Sequence, residues 1–224
     1  MADIGRLRVY FDELLSTGSS NASEQARDDI FQKIISAYSE SHRHYHVLDH
    51  LEDLFDLLEK YAPHFTSRQR ADAIAFFFWH DYMYLTHSLE VIGKNEIESA
   101  KRLSSDFNIL GLNRDCTYLE KLIIASKTHD LENGDVFGAL LLDMDMSILG
   151  RDQITYDSYR GKIRKEFQGF PDAVFYTSRR DLFLVPTLLK QRIFITDTFE
   201  RDFGFSAMEN IKREVGVINA AYHC

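Results

Sequence analysis

The chain has 224 residues, 45% hydrophobic and 27% charged, enough for one domain or a tight pair of subdomains with a real core and too polar for a membrane protein. A formal net charge of −9 gives no general attraction to duplex nucleic acid, so nucleic-acid binding is disfavoured and an anionic substrate would have to be held by local cations. No secretory-signal pattern is visible in MADIGRLRVYFDELL, and two cysteines, Cys116 and Cys224, are too few for a disulfide framework, so a soluble protein of the reducing cytoplasm with no membrane partner is expected.

Only three prolines occur, at 63, 171 and 186, and between them apolar residues recur at three- and four-residue spacing, which predicts an all-α fold. Helices are expected at about 3 to 16 and 24 to 40, separated by the polar loop TGSSNASEQ. The next, 46 to 61, carries the apolar stripe Leu48, Leu51, Leu54, Phe55 and Leu58 and ends before Pro63. A central buried helix at 67 to 85, capped by Ser67, contains AIAFFFWHDYMYL. Further helices are expected at 95 to 108, 114 to 129, 135 to 146, 153 to 168, 172 to 192 and 199 to 219, punctuated by glycines. This reads as a single helical domain, with a metal-binding core at about 40 to 150 and the C-terminal helices, 152 to 220, packing on it. The segment RDLFLVPTLLKQRIFI at 180 to 195 is apolar enough for a homodimer surface, but a core helix would look identical, and the core reading is preferred.

Four histidines, His42, His44, His46 and His50, crowd the start of the third helix. At helical spacing His46 and His50 share one face, where two imidazoles can converge on one ion or one substrate. His80 and Asp81 lie inside the apolar run of the central helix, where an imidazole and a carboxylate are costly unless a partner such as a metal satisfies them. The His-Asp dipeptide alone is weak evidence, because it recurs as His129-Asp130. There it reads either as a helix end, with His129 facing the helix dipole, or as a further part of the metal site. Asp143 and Asp145 sit among large apolar residues in LLLDMDMSILG, as ligands or as turn formers before Gly150. Arg43 and Lys127, close in sequence to these histidines, are surface charges or cations for an anionic substrate.

In order, His50, His80-Asp81 and Asp145 resemble the H…HD…D pattern of the HD superfamily of metal-dependent phosphohydrolases. The blocks HYHVLDHL, WHDYMY, NEIESA, IIASKTHD and LLDMDMSILG resemble those of a bacterial family of predicted HD phosphohydrolases, over residues 40 to 215. The first block is also similar to the YHNxxHA segment of cyclic-nucleotide phosphodiesterases, which implies His46 as proton donor and His50 as metal ligand. The similarity of DMS to that family's ADLS implies Asp145 as ligand and Asp143 as its outer partner. Tyr84 stands where HD nucleotidases of the HDxxE type carry a glutamate. A binuclear centre would need an additional histidine, for which His129, and less well His87, is available.

The resemblance implies an HD-type helical bundle holding one divalent ion (Mn, Fe, Co, Ni or Mg) on His50, His80, Asp81 and Asp145. Its expected activity is hydrolysis of a small phosphate ester, in the family a nucleotide, as a monoesterase or a diesterase. In that scheme His46 protonates the leaving oxygen, Lys127 offsets phosphate charge, and Glu96 orients water or a histidine. Two other expectations share the fold: a non-enzymatic nucleotide or metabolite binder, and a di-iron oxygenase.

Overall fold

A computed structural model describes residues 2–18, 20–112, 114–131 and 134–222; Cys224 lies outside them. All regular structure among the described residues is helical, and no strand occurs among them. The chain divides into two compact units, Met1–Asp135 and Val136–Cys224, so the 136–150 segment groups with the C-terminal helices. Among the described residues no helix is long and apolar enough to cross a membrane.

The first unit is a helical bundle of α1 (Ile4–Thr17), α2 (Glu24–Ala37), α3 (Leu48–Tyr61), α4 (Ser67–Trp79), the short α5 (Leu89–Ile92), α6 (Asn95–Ile109) and α7 (Thr117–Ala125). α4 is its axis, packing against α1, α3, α6 and α7. Its residues Ala71 and Ala73 to Trp79 are all buried, as expected of a helix apolar on every side. Each of Phe76, Phe77 and Phe78 removes enough apolar surface from water to contribute ~2–3 kcal/mol as an upper bound. Thr66, not Ser67, caps this helix: its hydroxyl accepts from the Gln69 amide while the Gln69 side chain accepts from the Thr66 amide. The pair is reciprocal, so it satisfies two otherwise orphaned groups at once.

Two boundaries differ from the sequence expectation, and both bear on the site. α3 starts at Leu48 because Val47 is extended (φ −117°, ψ −179°), which puts His46 before the helix instead of on its face. α4 stops at Trp79 although the apolar run continues to Leu85. Beyond it the backbone groups are taken by side chains from elsewhere. Arg43 donates to the carbonyls of Asp81 (2.7 Å) and Tyr82 (2.8 Å), and His42 Nε2 donates to that of Tyr84 (2.7 Å). Ser99 Oγ accepts from the Met83 amide (2.9 Å), and Asn95 bonds both the amide and the carbonyl of Leu85. A segment so fully satisfied has no need of helical hydrogen bonds.

The second unit contains α8 (Val136–Met146), which runs into a 3₁₀ turn at Ser147–Gly150, then α9 (Gln153–Glu166), α10 (Asp172–Arg179), α11 (Val185–Leu189), α12 (Asp197–Phe199) and α13 (Phe205–Ala221). The helix expected at 172 to 192 is interrupted by a π turn at Arg180–Leu184, and a second π turn, Glu200–Gly204, precedes α13. Gly150 touches the main chain of Phe203 so closely that an added Cβ would lie 2.6 Å from its carbonyl oxygen. The preference for 180–195 as core needs correction: Leu184 and Phe194 are buried, but Leu182 and Leu189 are 79% and 75% exposed. Buried Glu214 holds this unit together by accepting from the Tyr156 hydroxyl (2.5 Å) and the Arg179 guanidinium (2.8 Å).

In the first unit, buried Asp106 accepts from Trp79 Nε1 (3.0 Å) and Arg102 Nε (2.8 Å). Replacing it with alanine strands two donors, one of them charged. Asp106→Ala is therefore expected to cost ~2–4 kcal/mol in urea unfolding followed by Trp79 emission, against ~1 kcal/mol for loss of the cap in Thr66→Ala.

Candidate metal centre

The centre in the first unit forms where α3 begins and α4 ends. His50 stands in the first turn of α3, next to the core residue Leu51, and is only 3% exposed. His80 is the C-cap of α4 and is 1% exposed. Its ring stacks on Phe76 (5.2 Å, 26°), and its Nδ1 donates to the Phe77 carbonyl at 3.0 Å. That carbonyl is one of the orphaned acceptors at a helix end, so a single bond both caps α4 and fixes the ring.

A carbonyl can only accept, so His80 Nδ1 carries the proton and Nε2 is left with its lone pair. That Nε2 faces His50 Nε2 at 3.4 Å and Asp81 Oδ2 at 3.1 Å. Either His50 Nε2 donates to His80 Nε2 or a cation lies between the two nitrogens, depending on the His50 tautomer, so the cluster could hold a metal ion. Two imidazoles and a carboxylate could hold a divalent ion, and the outer bond of His80 is of the kind that orients metal-bound histidines. Within the first unit, His50 and His80 are the two buried side chains that bring imidazole nitrogens together here; Asp145 belongs to the second unit.

Around these ligands the partly exposed His46 points its Nε2 toward Asp81 Oδ2 at 3.8 Å. Its ring lies 5.8 Å from that of His50, nearly perpendicular, and 4.1 Å from that of Tyr84. His46 thus reaches the centre from the segment ahead of α3, and Tyr84 covers its ring. Glu96, in the first turn of α6, is mostly buried, and its Oε2 lies 3.9 Å from Lys127 Nζ. Burial raises the Glu96 pKa above the usual carboxylate range, and the Asp81 charge adds to the shift, while Lys127 and His129 oppose it. Lys127 also donates to the Gly93 carbonyl at 3.0 Å.

His129 does not end a helix as one reading supposed, since α7 stops at Ala125. It sits three residues beyond the helix cap, half-buried, in the left-handed region with φ 52°, a conformation that costs a non-glycine residue ~1 kcal/mol or more. His87 is exposed. Arg43 is not a surface charge but has a fully buried side chain. On α8, Asp143 and Asp145 point about 200° apart. Asp143 is buried and accepts from the amides of Ile195 (2.8 Å) and Thr196 (2.7 Å) and from the Thr196 hydroxyl (2.6 Å), while Asp145 is partly exposed.

Sequence reasoning missed the structural roles of Arg43, Asn95 and Ser99, all of which depend on partners ten or more residues away. No local pattern marks them. No protein-family model, curated protein or solved structure matches this chain.

The raised Glu96 pKa carries a pH signature. The folded state holds this proton more tightly than the unfolded chain, so the stabilisation is fully present below the unfolded pKa and is lost as pH rises through the folded one. Glu96→Gln removes that loss. With chelator present, the variant is expected to match the parent near pH 4 and to gain on it as pH rises toward neutrality, read from urea midpoints at successive pH values. A constant offset at all pH values would contradict the assignment.

Proposed function

We propose that this protein is a metal-dependent phosphohydrolase acting on a small phosphate ester, with a nucleotide as the first substrate class to try. The observation that carries the reading is the approach of two buried imidazole nitrogens, His50 Nε2 and His80 Nε2, to 3.4 Å, with the partly exposed Asp81 carboxylate 3.1 Å from His80 Nε2. The resemblance of these residues, in this order, to HD phosphohydrolases supplies the phosphate ester.

In this reading His50, His80, Asp81 and Asp145 hold one divalent ion. Such an ion supplies Lewis acidity toward a phosphoryl oxygen and makes water nucleophilic near neutral pH. His46, partly exposed and beside the Asp81 carboxylate, is placed to carry a proton and hand it to the leaving oxygen. Its neighbour Tyr84 packs against the ring at 4.1 Å, tilted by 33°, and so favours one approach direction. Lys127, half-exposed beside Glu96, is the cation nearest at hand for a substrate anion. Glu96, in the first turn of α6 and mostly buried, orients water or a histidine. Asp143 steadies α8, and with it Asp145, through the amides of Ile195 and Thr196.

The test is metal analysis of purified protein, paired with phosphate release from a panel of nucleotides and simple esters under added Mn, Co, Ni and Mg. About one ion per chain and metal-dependent release are expected. His50→Ala and Asp145→Ala should lose the ion, whereas His46→Ala should keep it and lose ~10²–10⁴-fold in turnover. A metal-replete, fully active His50→Ala protein would sink the proposal. Ligand-dependent stabilisation with no product would turn it into a binding protein, and two irons with no phosphate release would turn it into an oxygenase.

A further inference from the structure

Arg43 has no place in the scheme above, yet it touches both halves of the centre. Its side chain is fully buried, between the rings of Tyr38 (5.1 Å) and Tyr84 (5.5 Å). Nε donates to Glu40 Oε2 at 2.9 Å. Nη1 donates to the Asp81 carbonyl at 2.7 Å and, more weakly, to that of His46 at 3.4 Å, and Nη2 donates to the Tyr82 carbonyl at 2.8 Å. With four of its five N–H groups engaged by main chain and Glu40 and its side chain fully buried, this guanidinium is not presented to a substrate phosphate.

What it does hold is geometry. Asp81 and His46 come from segments 35 residues apart in the chain, both lie outside regular helix, and their side chains meet at 3.8 Å. The same nitrogen, Nη1, bonds the carbonyls of both. Resting on the metal-site reading, we propose that Arg43 is a positioning residue: its planar fork fixes the Asp81 carboxylate beside His80 and the His46 ring beside that carboxylate, so that metal affinity depends on the fork and not only on a positive charge. Lysine keeps the charge but presents a single ammonium, which cannot span three carbonyls and a carboxylate in one plane. Outer contacts of this kind typically change metal affinity by ~10–100-fold.

The experiment titrates Co²⁺ into the chelated full-length protein and reads both the dissociation constant and the visible absorption of the bound ion, for the parent, Arg43→Lys, Glu40→Gln and Leu7→Ala. Thermal unfolding of each metal-free protein, followed by Trp79 emission, ranks their stabilities. Arg43→Lys is expected to bind Co²⁺ at least ~10-fold more weakly with an altered absorption band. Leu7→Ala, a cavity in the buried face of α1, should lose stability yet keep the parent's affinity and band. Glu40→Gln, which loosens the Nε contact and the more distant approach to His42 (3.8 Å) but leaves the carbonyl contacts of Arg43 in place, should weaken binding less than Arg43→Lys, and it decides the matter if Arg43→Lys fails to fold. Parent-like affinity and absorption in the folded Arg43→Lys protein, or an equal loss in Leu7→Ala, would overturn the proposal while leaving the metal site standing. A parent that binds no Co²⁺ would instead remove the metal-site reading, and this inference with it.

Discussion

The hydrogen bond from His80 Nδ1 to the Phe77 carbonyl is the constraint from which the rest of the centre follows. It commits the one proton of a neutral imidazole to the helix end and leaves Nε2 as an acceptor in a buried place. Two more potential acceptors then stand within 3.4 Å of it, on His50 and Asp81. A proton can satisfy one of those pairs at a time. A cation could be shared between such atoms, and this is the physical reason the cluster could hold a metal ion as well as being a pair of core histidines.

That constraint also accounts for the end of α4. Nothing in AIAFFFWHDYMYL announces a stop at Trp79, since helix propensity and apolar character both continue through Tyr84. The helix ends because Arg43, His42, Ser99 and Asn95 offer the backbone of 81 to 85 other partners. Leaving the helix lets the Asp81 carboxylate turn back to His80 Nε2. On a continuing helix those two side chains would diverge by ~100°. That His80 and Asp81 in an apolar run need a partner was therefore legible from the sequence, while the turn that makes them neighbours was not, because it is written in residues 10 to 42 positions away.

The same division runs through the other parts of the site. His50 was legible as a partner of the buried pair because it belongs to a clean apolar stripe that fixes which way it faces. His46 was placed on the same helical face, yet the extended Val47 takes it off the helix. It arrives beside Asp81 by another route, held from behind by Arg43. In α8 the two aspartates look equivalent in the sequence. Once the helix places them on opposite sides, the amides of Ile195 and Thr196 claim Asp143, and those amides lie about fifty residues downstream. Local patterning reports which residues cannot be idle, and tertiary hydrogen bonds decide what each is occupied with.

The chain's acidity sharpens the chemical argument. Among the described residues, Arg43 is spent on carbonyls and Glu40, and Lys127 is already drawn toward the Gly93 carbonyl and Glu96. Asp81 brings negative charge to the same region and adds to the burial that disfavours ionisation of Glu96. An anionic ester approaching such a surface would be repelled by the protein's own side chains. If the proposed reaction is correct, most of the attraction for the phosphate must come from the ion held by the histidines. Loss of the ion would then weaken substrate binding as well as chemistry, which distinguishes this centre from one in which arginines hold the phosphate and the metal only activates water.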